Sequence, residues 1–171
     1  DVCSSDLVVI EGFNGDSAFT FPVGNVKQEK LDLMRATREA LFKGIAQAIA
    51  GNRLGDIGHA VQAHVQQYGY SVVREMVGHG VGRELHEDPQ VPNYGRRGRG
   101  AKLKDGLVIA IEPMINMGNR KIYQESDGWT IVAADKKPSA HYEHSIVVRK
   151  DKAEILSSFD IIDQALANTN Q

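Results

Sequence analysis

The chain has 171 residues, of which 42% are hydrophobic and 25% charged, and its formal net charge is −2. This composition is typical of a globular domain with its own hydrophobic core. The near-neutral charge disfavours a dedicated nucleic-acid binder, so no DNA partner is expected. The apolar runs are too short for a membrane span, and a single cysteine excludes an internal disulfide framework. With no signal-peptide pattern at the start, a cytoplasmic protein is expected.

The first predicted elements are two strands joined by a hairpin. Residues 7–13 form a mostly apolar run, Asn14-Gly15 is a strong turn signal, and a second apolar run follows. This pattern places Asp16 just beyond the turn. Apolar residues at helical spacing then predict two helices, one over about residues 27–51 and one over residues 56–68 that begins with Asp56 as its N-cap.

The second half of the chain is dominated by strands. Because helices and strands do not alternate regularly, the sequence predicts an α+β fold. A long Pro/Gly-rich, basic loop is predicted over residues 87–106, and loops of that length in compact domains are usually functional. The remaining predicted elements are strands at residues 70–77, 107–111, 129–134 and 142–149 and a short helix near residues 159–167.

A histidine framed by glycines is the first candidate for chemistry. His79 lies between Gly78 and Gly80, and Gly82 follows shortly after. Glycines permit close backbone approach and unusual dihedral angles, so backbone geometry rather than an apolar helix face positions this imidazole. Taken alone, such a histidine could simply hydrogen-bond to the backbone of its loop.

Three carboxylates favour a metal site instead. Glu112 and Glu143 each lie at the end of a strand that is expected in the core, where a lone carboxylate needs cations or several donors nearby. The alternative is that each strand end reaches solvent or that each glutamate pairs with an arginine, and Asp16 could be an ordinary turn residue. Together with His79 they form a set that suits manganese, iron, cobalt or zinc, and shared carboxylates allow two metals. The lack of cysteine in the set argues against structural zinc.

Five separated motifs carry a resemblance to a known family. In order along the chain they are GFNGD (12–16), GHGVGRELHEDPQVPNYG (78–95), IEPMIN (111–116), DGWT (127–130) and SAHYEHSIVV (139–148). With these motifs in register, the sequence resembles the type I methionine aminopeptidases. The resemblance implies their pita-bread fold, in which helices back a curved antiparallel sheet.

The resemblance also implies a role for each matching residue. It makes Asp16, His79, Glu112 and Glu143 the metal ligands, with Glu143 bridging two metals and Glu112 also handling protons near the nucleophile. His86 would be a catalytic residue that contacts the substrate carbonyl and the tetrahedral intermediate. His79 would in addition lie against the substrate.

The methionine pocket of the family is assigned in the same way. Trp129 would form one wall of the pocket and Leu85 would line it. Without the resemblance, Trp129 would be interpreted as a plain core aromatic residue.

The implied activity is the removal of the N-terminal methionine from nascent proteins and peptides with a small second residue, by a metal-activated hydroxide. The cofactors would be two divalent ions, with Co, Mn, Fe and Zn left open, and a monomer is expected. The loop at residues 96–104 (RRGRGAKLK) adds five cations in nine residues. It is either a solvated loop or a weak contact with ribosomal phosphate.

The start of the chain departs from the family pattern. The family places a further metal-ligating aspartate eleven residues before Asp16, where this chain has Ser5. Asp6 is one residue out of register, which in a strand points a side chain to the opposite face. One metal site is therefore expected to be impaired, and this chain to be poorly active.

The first part of the fold is expected to be missing. The sequence lacks the family's preceding segment, which supplies two helices, another catalytic histidine and part of the methionine pocket. Residues 1–7 (DVCSSDL) match the translation of a sequencing adapter and are expected to be non-native, with a divergent natural terminus as the alternative. Residues 8–171 would then be an incomplete catalytic domain.

Two other functions stay open at this point. The first is an Xaa-Pro aminopeptidase or prolidase of the same fold, but EPMI at residues 112–115 stands where those families tend to have EPG. The presence of Trp129 and of NYG at residues 93–95 also favours the methionine enzyme. The second is a binding protein that lost its metals, and the presence of His79, His86 and both glutamates speaks against it.

Overall fold

The fold is built on antiparallel strands with two long helices packed against them. The computed structural model describes the backbone of residues 2–169 and the side chains of residues 7–168. In chain order the elements are β1 (Val2–Ile10), β2 (Phe13–Phe21), α1 (Gln28–Ile45), α2 (Leu54–Gln66), β3 (Ser71–Val72), β4 (Gly78–Gly80), β5 (Glu87–Val91), β6 (Val108–Ile111), β7 (Met114–Asn116), β8 (Ile122–Gln124), β9 (Ile131–Ala133), β10 (Ser139–His141), β11 (Glu143–Val147), β12 (Glu154–Ile155) and α3 (Asp160–Thr169).

The main sheet brings together strands that are far apart in sequence. Its order is β1-β2-β11-β6-β4-β5, with β12 paired to β11, and the pairings are antiparallel. A three-stranded sheet in the order β10-β7-β3 and the hairpin β8–β9 complete the strands. As a result β2, β11, β6 and β4 lie side by side in the middle of the main sheet.

The hydrophobic core lies between the helices and these strands. Helix α1 packs against α2 and contacts β6, β7, β10 and β11. Leu41 of α1 and Ile57, Val61 and Val65 of α2 are fully buried, and each such side chain contributes about 1.5–3 kcal/mol on burial. The two helices approach closely at Gly44, where an added Cβ would lie 2.8 Å from a methyl of Val61.

The first hairpin turns at a different place from the one predicted. Glu11 and Gly12 both have positive φ, 52° and 79°, and Ile10 pairs with Phe13, as in a two-residue type I′ turn. The predicted turn at Asn14-Gly15 is therefore wrong, and Asp16 lies within β2. The Asn14 side chain instead donates hydrogen bonds to the carbonyls of residues 82 and 83, at 3.1 and 2.9 Å.

Other boundaries also shift. The strand predicted at residues 70–77 is reduced to β3, and the predicted loop at residues 87–106 begins with β5. Helix α2 starts at Leu54, so Asp56 is not the N-cap but its third residue, where it accepts a hydrogen bond from the Arg53 amide at 2.8 Å. Asp56 therefore still caps the helix N-terminus, as the N3 residue of a capping box whose carboxylate accepts from the N-cap amide. The predicted strands at residues 107–111, 129–134 and 142–149 coincide with β6, β9 and β11.

The predictions for the start of the chain fall on side chains outside the described residues. The backbone register pairs Ser5 with Ala18, which in turn pairs with Glu143, whereas Asp6 pairs with Ser17. The missing ligand at position 5 and the non-native origin of residues 1–7 stay predictions. Within residues 2–169, no helix has the length and apolar character needed to cross a membrane.

Candidate metal centre

Each of four neighbouring strands brings one polar side chain to the same place. Asp16 lies on β2, Glu143 begins β11, Glu112 directly follows β6, and His79 is the middle residue of β4. Because these strands are adjacent in the main sheet, the four side chains converge although Asp16 and Glu143 are 127 residues apart in sequence. The structure thus brings together the four residues that the sequence marked as candidate ligands.

The glycines beside His79 allow β4 to fit between its neighbours. A Cβ on Gly78 would lie 2.3 Å from the Ala110 carbonyl oxygen, and one on Gly80 would lie 2.3 Å from the Asp88 carbonyl oxygen. Real side chains do not reach such distances, so β4 can approach β6 and β5 only as Gly-His-Gly. Backbone packing therefore sets the position of the histidine.

The tautomer of His79 suits metal binding. Its Nδ1 lies 2.8 Å from the Gly80 carbonyl oxygen, which can only accept, so Nδ1 carries the proton. The Nε2 lone pair is left facing the carboxylates, 3.9 Å from Oδ2 of Asp16 and 3.6 Å from Oε1 of Glu112. A ligating histidine usually has its second ring nitrogen fixed in this way.

Glu143 is the most deeply buried of the carboxylates, with 2% of its surface exposed. Burial, together with the nearby carboxylates of Glu112 and Asp16, raises the pKa of its carboxyl to about 9. Its Oε1 is buried and has no hydrogen-bond partner among the described residues. A buried acid with an unused oxygen beside two other acids requires a cation if it is to be ionised at neutral pH.

Two polar side chains of the core fix the backbone around the ligands. The Ser145 hydroxyl donates to the Asp16 carbonyl at 2.8 Å and accepts from the Asp16 amide at 3.1 Å. The buried Asn93 amide donates to the Glu112 carbonyl at 3.0 Å. These contacts hold β2 and the end of β6 in place independently of any metal.

His141 also belongs to this cluster, and sequence reasoning missed it. Its Nε2 lies 3.4 Å from Oε2 of Glu112. It stands two residues before Glu143, a spacing that puts both side chains on the same side of an extended chain. That alternation in the segment HYE was the signal that could have identified it.

The donor atoms form two groups that share one residue. Asp16, His79 and Glu143 offer ligand atoms within 4.8 Å of one another, and so do Glu112, His141 and Glu143. Carboxylate oxygens mixed with imidazole nitrogens suit divalent transition ions, and a shared carboxylate suits a pair of them. The residues present therefore fit divalent metal binding at two adjacent positions.

The predicted substrate contacts lie at different distances from this cluster. The exposed His86 packs edge-to-face on His79, with ring centroids 4.3 Å apart. Leu85 is half-buried, whereas Trp129 is 88% exposed at the end of the β8–β9 hairpin. The roles of Leu85 and Trp129 stay predictions.

An apolar cavity of about 190 Å³ lies beside His141. The β8–β9 hairpin forms part of its wall through Ile122 and Ile131, and the lining includes neither Leu85 nor Trp129. The other lining residues are Val73, Met76, Met114, Asn116, Val132, Ala133, Ser139 and Ala140.

Comparison with known proteins identifies relatives of this chain. The profile of metallopeptidase family M24 matches residues 1–150. The chain is 51% identical over 158 residues to a methionine aminopeptidase of Clostridium perfringens, and 47% identical over 158 residues to methionine aminopeptidase 1 of Bacillus subtilis. Each match covers 92% of this chain and 64% of the relative, so the chain spans less than two thirds of their length.

Solved structures agree with this result. The crystal structure of a methionine aminopeptidase from Thermotoga maritima superposes with a TM-score of 0.88 at 45% identity, over 90% of this chain and 62% of that one. The prolidase from Pyrococcus horikoshii gives a TM-score of 0.71 at 24% identity over 91% of this chain and 39% of that one, a likeness of fold alone. The predicted α+β, pita-bread class, with helices backing an antiparallel sheet, is confirmed.

Proposed function

The chain belongs to metallopeptidase family M24, and we propose that it removes the N-terminal methionine from nascent proteins and peptides with a small second residue. The observation that carries the proposal is the pair of ligand groups sharing Glu143, with the exposed ring of His86 packed on His79 beside them. Such a site combines a place for divalent metals with a free hydrogen-bond donor, as acyl-transfer chemistry requires.

The metals would be held by Asp16, His79, Glu112 and Glu143. When bound, divalent ions supply Lewis-acid polarisation of the substrate carbonyl and lower the pKa of water. Cobalt, manganese, iron and zinc all suit these donors, and we propose one weakened position because Ser5 offers no carboxylate.

Two residues, Glu112 and His86, would act directly on the scissile peptide bond. Glu112 is partly accessible, with 13% of its side chain exposed, so its carboxylate can accept a proton from the attacking water and pass it to the leaving amine. His86 is exposed, so its ring N–H can donate to the carbonyl oxygen as negative charge develops there. The contact with the His79 ring keeps this donor beside the ligand cluster.

We propose that the apolar cavity beside His141 takes the side chain of the first substrate residue. Met114 and Ile131 in its wall offer apolar contact to a thioether. The β8–β9 hairpin that carries Trp129 forms part of the same wall through Ile122 and Ile131. The roles of Trp129 and Leu85 in the pocket belong to this proposal.

Prolidase or Xaa-Pro aminopeptidase activity is the alternative, and a peptide panel separates the two. The chain is incubated in excess over Met-Ala-Ser, Leu-Ala-Ser or Ala-Pro-Ser with Mn²⁺ or Co²⁺, and released amino acids are measured by mass spectrometry. We expect free methionine from Met-Ala-Ser alone, at a rate well below that of the longer relatives. Glu112→Gln and His86→Ala should each lower that rate by a factor of about 100 or more.

The matched control is His59→Ala, which replaces a half-buried histidine of α2 outside the cluster and should leave the rate unchanged. Release of alanine from Ala-Pro-Ser in preference to methionine would support the prolidase alternative. Failure to release any methionine with either metal would contradict the proposal and favour a binding protein of this fold.

We also propose a cytoplasmic location and a weak contact with ribosomes, since the substrate would be a nascent chain. The support is the loop over residues 96–104, whose five cationic side chains are all exposed. Exposed arginines and lysines close together favour contact with phosphate.

A further inference from the structure

We infer that Asn14 is a positioning residue, whose side-chain amide holds the loop that carries His86 beside the ligand cluster. This loop, the His86 loop, covers residues 82–87, and Asn14 lies on β2 two residues before Asp16. The role of His86 in peptide hydrolysis rests on the proposed function, whereas the hold of Asn14 on the loop is a property of the fold. The two can therefore be tested separately.

Hydrogen bonds from both the backbone and the side chain of Asn14 reach the His86 loop. The backbone amide donates to the Gly82 carbonyl at 2.7 Å, and the side-chain amide donates to the same carbonyl at 3.1 Å and to the Arg83 carbonyl at 2.9 Å. The side-chain nitrogen carries two hydrogens and can therefore serve two consecutive carbonyls. An aspartate of the same shape has no hydrogen to donate and would set a carboxylate against these oxygens.

The bonds from Asn14 connect parts of the site that the main sheet does not pair. Strands β2 and β11 pair at Ser17 and Ala18. Nearer the hairpin turn, the backbone amide of Asn14 donates to Gly82 instead. The His86 loop follows β4, and β6 and β11 lie between β4 and β2 in the sheet order. Asn14 therefore fixes the loop directly to the strand that carries Asp16.

The His86 loop is compact, so a hold at its start also fixes the residues that follow. The Gly82 amide donates to the Glu84 carbonyl at 3.2 Å, and the Glu84 amide donates to Oε1 of Glu87 at 3.0 Å. The Glu87 carboxylate lies against Gly82, where a Cβ would be 2.6 Å from Oε1. Glu87 also begins β5, which anchors the far end of the loop. Between these two anchors, the His86 ring packs edge-to-face on His79.

Arg83 makes a second contact between the hairpin and the loop. Its guanidinium carbon lies 4.7 Å from the ring centroid of Phe13, the residue before Asn14. Both side chains are exposed, and a cation–π contact at an exposed site is weak. Asn14 is half-buried, so its hydrogen bonds are better shielded from water. We therefore assign the hold on the loop to Asn14.

Hydrogen exchange and NMR on the 171-residue chain test this hold without peptide hydrolysis. Asn14→Asp and Asn14→Ala both remove the side-chain donors, and the alanine adds no charge. Because the loop carbonyls lose these donors, we expect the amides of residues 82–87 to exchange about 5–100 times faster. The nuclear Overhauser contact between the rings of His79 and His86 should weaken as well. Unchanged exchange of the α1 amides would show that the fold is intact.

The matched control is Asn52→Asp, which makes the same chemical change at another half-buried asparagine. The Asn52 side-chain amide donates to the Gln47 carbonyl at 2.9 Å, between α1 and α2, so its loss should change neither the loop nor the ring contact. Loop exchange that stays the same in both Asn14 variants would overturn the inference. Faster loop exchange with an undiminished contact between the two histidine rings would overturn it too.

Peptide hydrolysis then tests whether Asn14 acts through His86. With the chain in excess over Met-Ala-Ser, we expect Asn14→Asp to lower the maximal rate of methionine release by a factor of about 10 or more. The half-saturating concentration should change by less than about twofold, because a misplaced donor is missed mainly in the transition state.

A double variant separates positioning from a general structural role. In the His86→Ala background, Asn14→Asp should have little further effect on the rate, because the group that it positions is already absent. An equal loss in both backgrounds would contradict the positioning role. A parent chain that releases no methionine would remove the proposed function alone, since the exchange rates and the ring contact still decide whether Asn14 holds the loop.

Discussion

Glu143 is the carboxylate of the centre that is most disfavoured in its ionised form, because it is buried beside two other acids. In the metal-free chain its carboxyl is nearly fully buried, and its pKa is raised to about 9 by burial and by Glu112 and Asp16. The folded state therefore binds a proton at neutral pH that the unfolded state, with a glutamate pKa of 4.5, releases. Stability contributed by this group is present below pH 4.5 and is lost as the pH rises toward 9.

Replacing this one acid should separate stability from metal binding. We expect metal-free Glu143→Gln, in the presence of a chelator, to unfold with a free energy about 1–3 kcal/mol higher than the parent at pH 8, because glutamine is neutral. The difference should shrink at pH 5. Added Co²⁺ should raise the melting temperature of the parent but not of the variant, since both ligand groups use Glu143. Thermal melts at the two pH values provide the measurement, and a variant stabilised equally by Co²⁺ would contradict it.

At the scale of elements, the sequence predicted side chains better than it predicted turns. Asp16, His79, Glu112 and Glu143 were identifiable because each is a costly polar residue in a strand-like or glycine-rich context, and the structure brings them together. The Asn14-Gly15 signal failed because local turn preference cannot show that Asn14 is used by a loop about 70 residues away. Such contacts depend on the sheet order, which no local pattern contains.

His141 was missed for the same reason, because its role depends on a contact between distant parts of the sequence. Its spacing from Glu143 was visible, but its value as a donor depends on Glu112 reaching it from β6. Strand β5 was missed because its sequence EDPQV has neither alternation nor apolar character, and it pairs with β4 only because the glycines there permit close approach.

The basic loop at residues 96–104 is hydrogen-bonded to the start of α2. Gly98 donates its amide to Asp56 at 2.8 Å, and Arg53 donates to the Gly100 carbonyl at 2.8 Å. The contact with the Gly98 amide also lowers the pKa of the Asp56 carboxyl. An anchored loop presents its cations in a fixed arrangement, and this favours a surface that binds phosphate groups over a disordered, solvated loop.

If that surface contacts ribosomes, reversing its charge should release the chain. We expect the variant with Arg96, Arg97 and Arg99 all changed to glutamate to lose at least about tenfold in affinity and most of its salt dependence. The control reverses three exposed lysines elsewhere, Lys43, Lys150 and Lys152, for the same change in net charge. Sedimentation with ribosomes over a salt series measures both, and equal losses in the two variants would show that only total charge matters.

At the scale of the whole molecule, one edge of the main sheet exposes apolar side chains to solvent. Strand β1 is an outer strand, and its residues Val8, Val9 and Ile10 are 51%, 61% and 68% exposed, with Phe13 across the turn 51% exposed. An apolar strand at an open sheet edge can pair with another chain and commonly leads to association. A monomer is the expectation from the family resemblance, so this edge argues for a different behaviour of the 171-residue chain.

We expect the chain to associate as its concentration rises, and a lysine at the edge strand to prevent this. Val9→Lys places a charge where a second strand would pair, whereas Val23→Lys puts the same charge at an equally exposed valine, also 61%, outside the strands. Sedimentation velocity from about 5 to 200 µM, a range that spans typical weak association, should show growing sedimentation coefficients for the parent and Val23→Lys and a constant monomer for Val9→Lys. A parent that stays monomeric throughout would show that the exposed edge is tolerated, since neither strand pairing nor apolar contact would then be strong enough to hold two copies together.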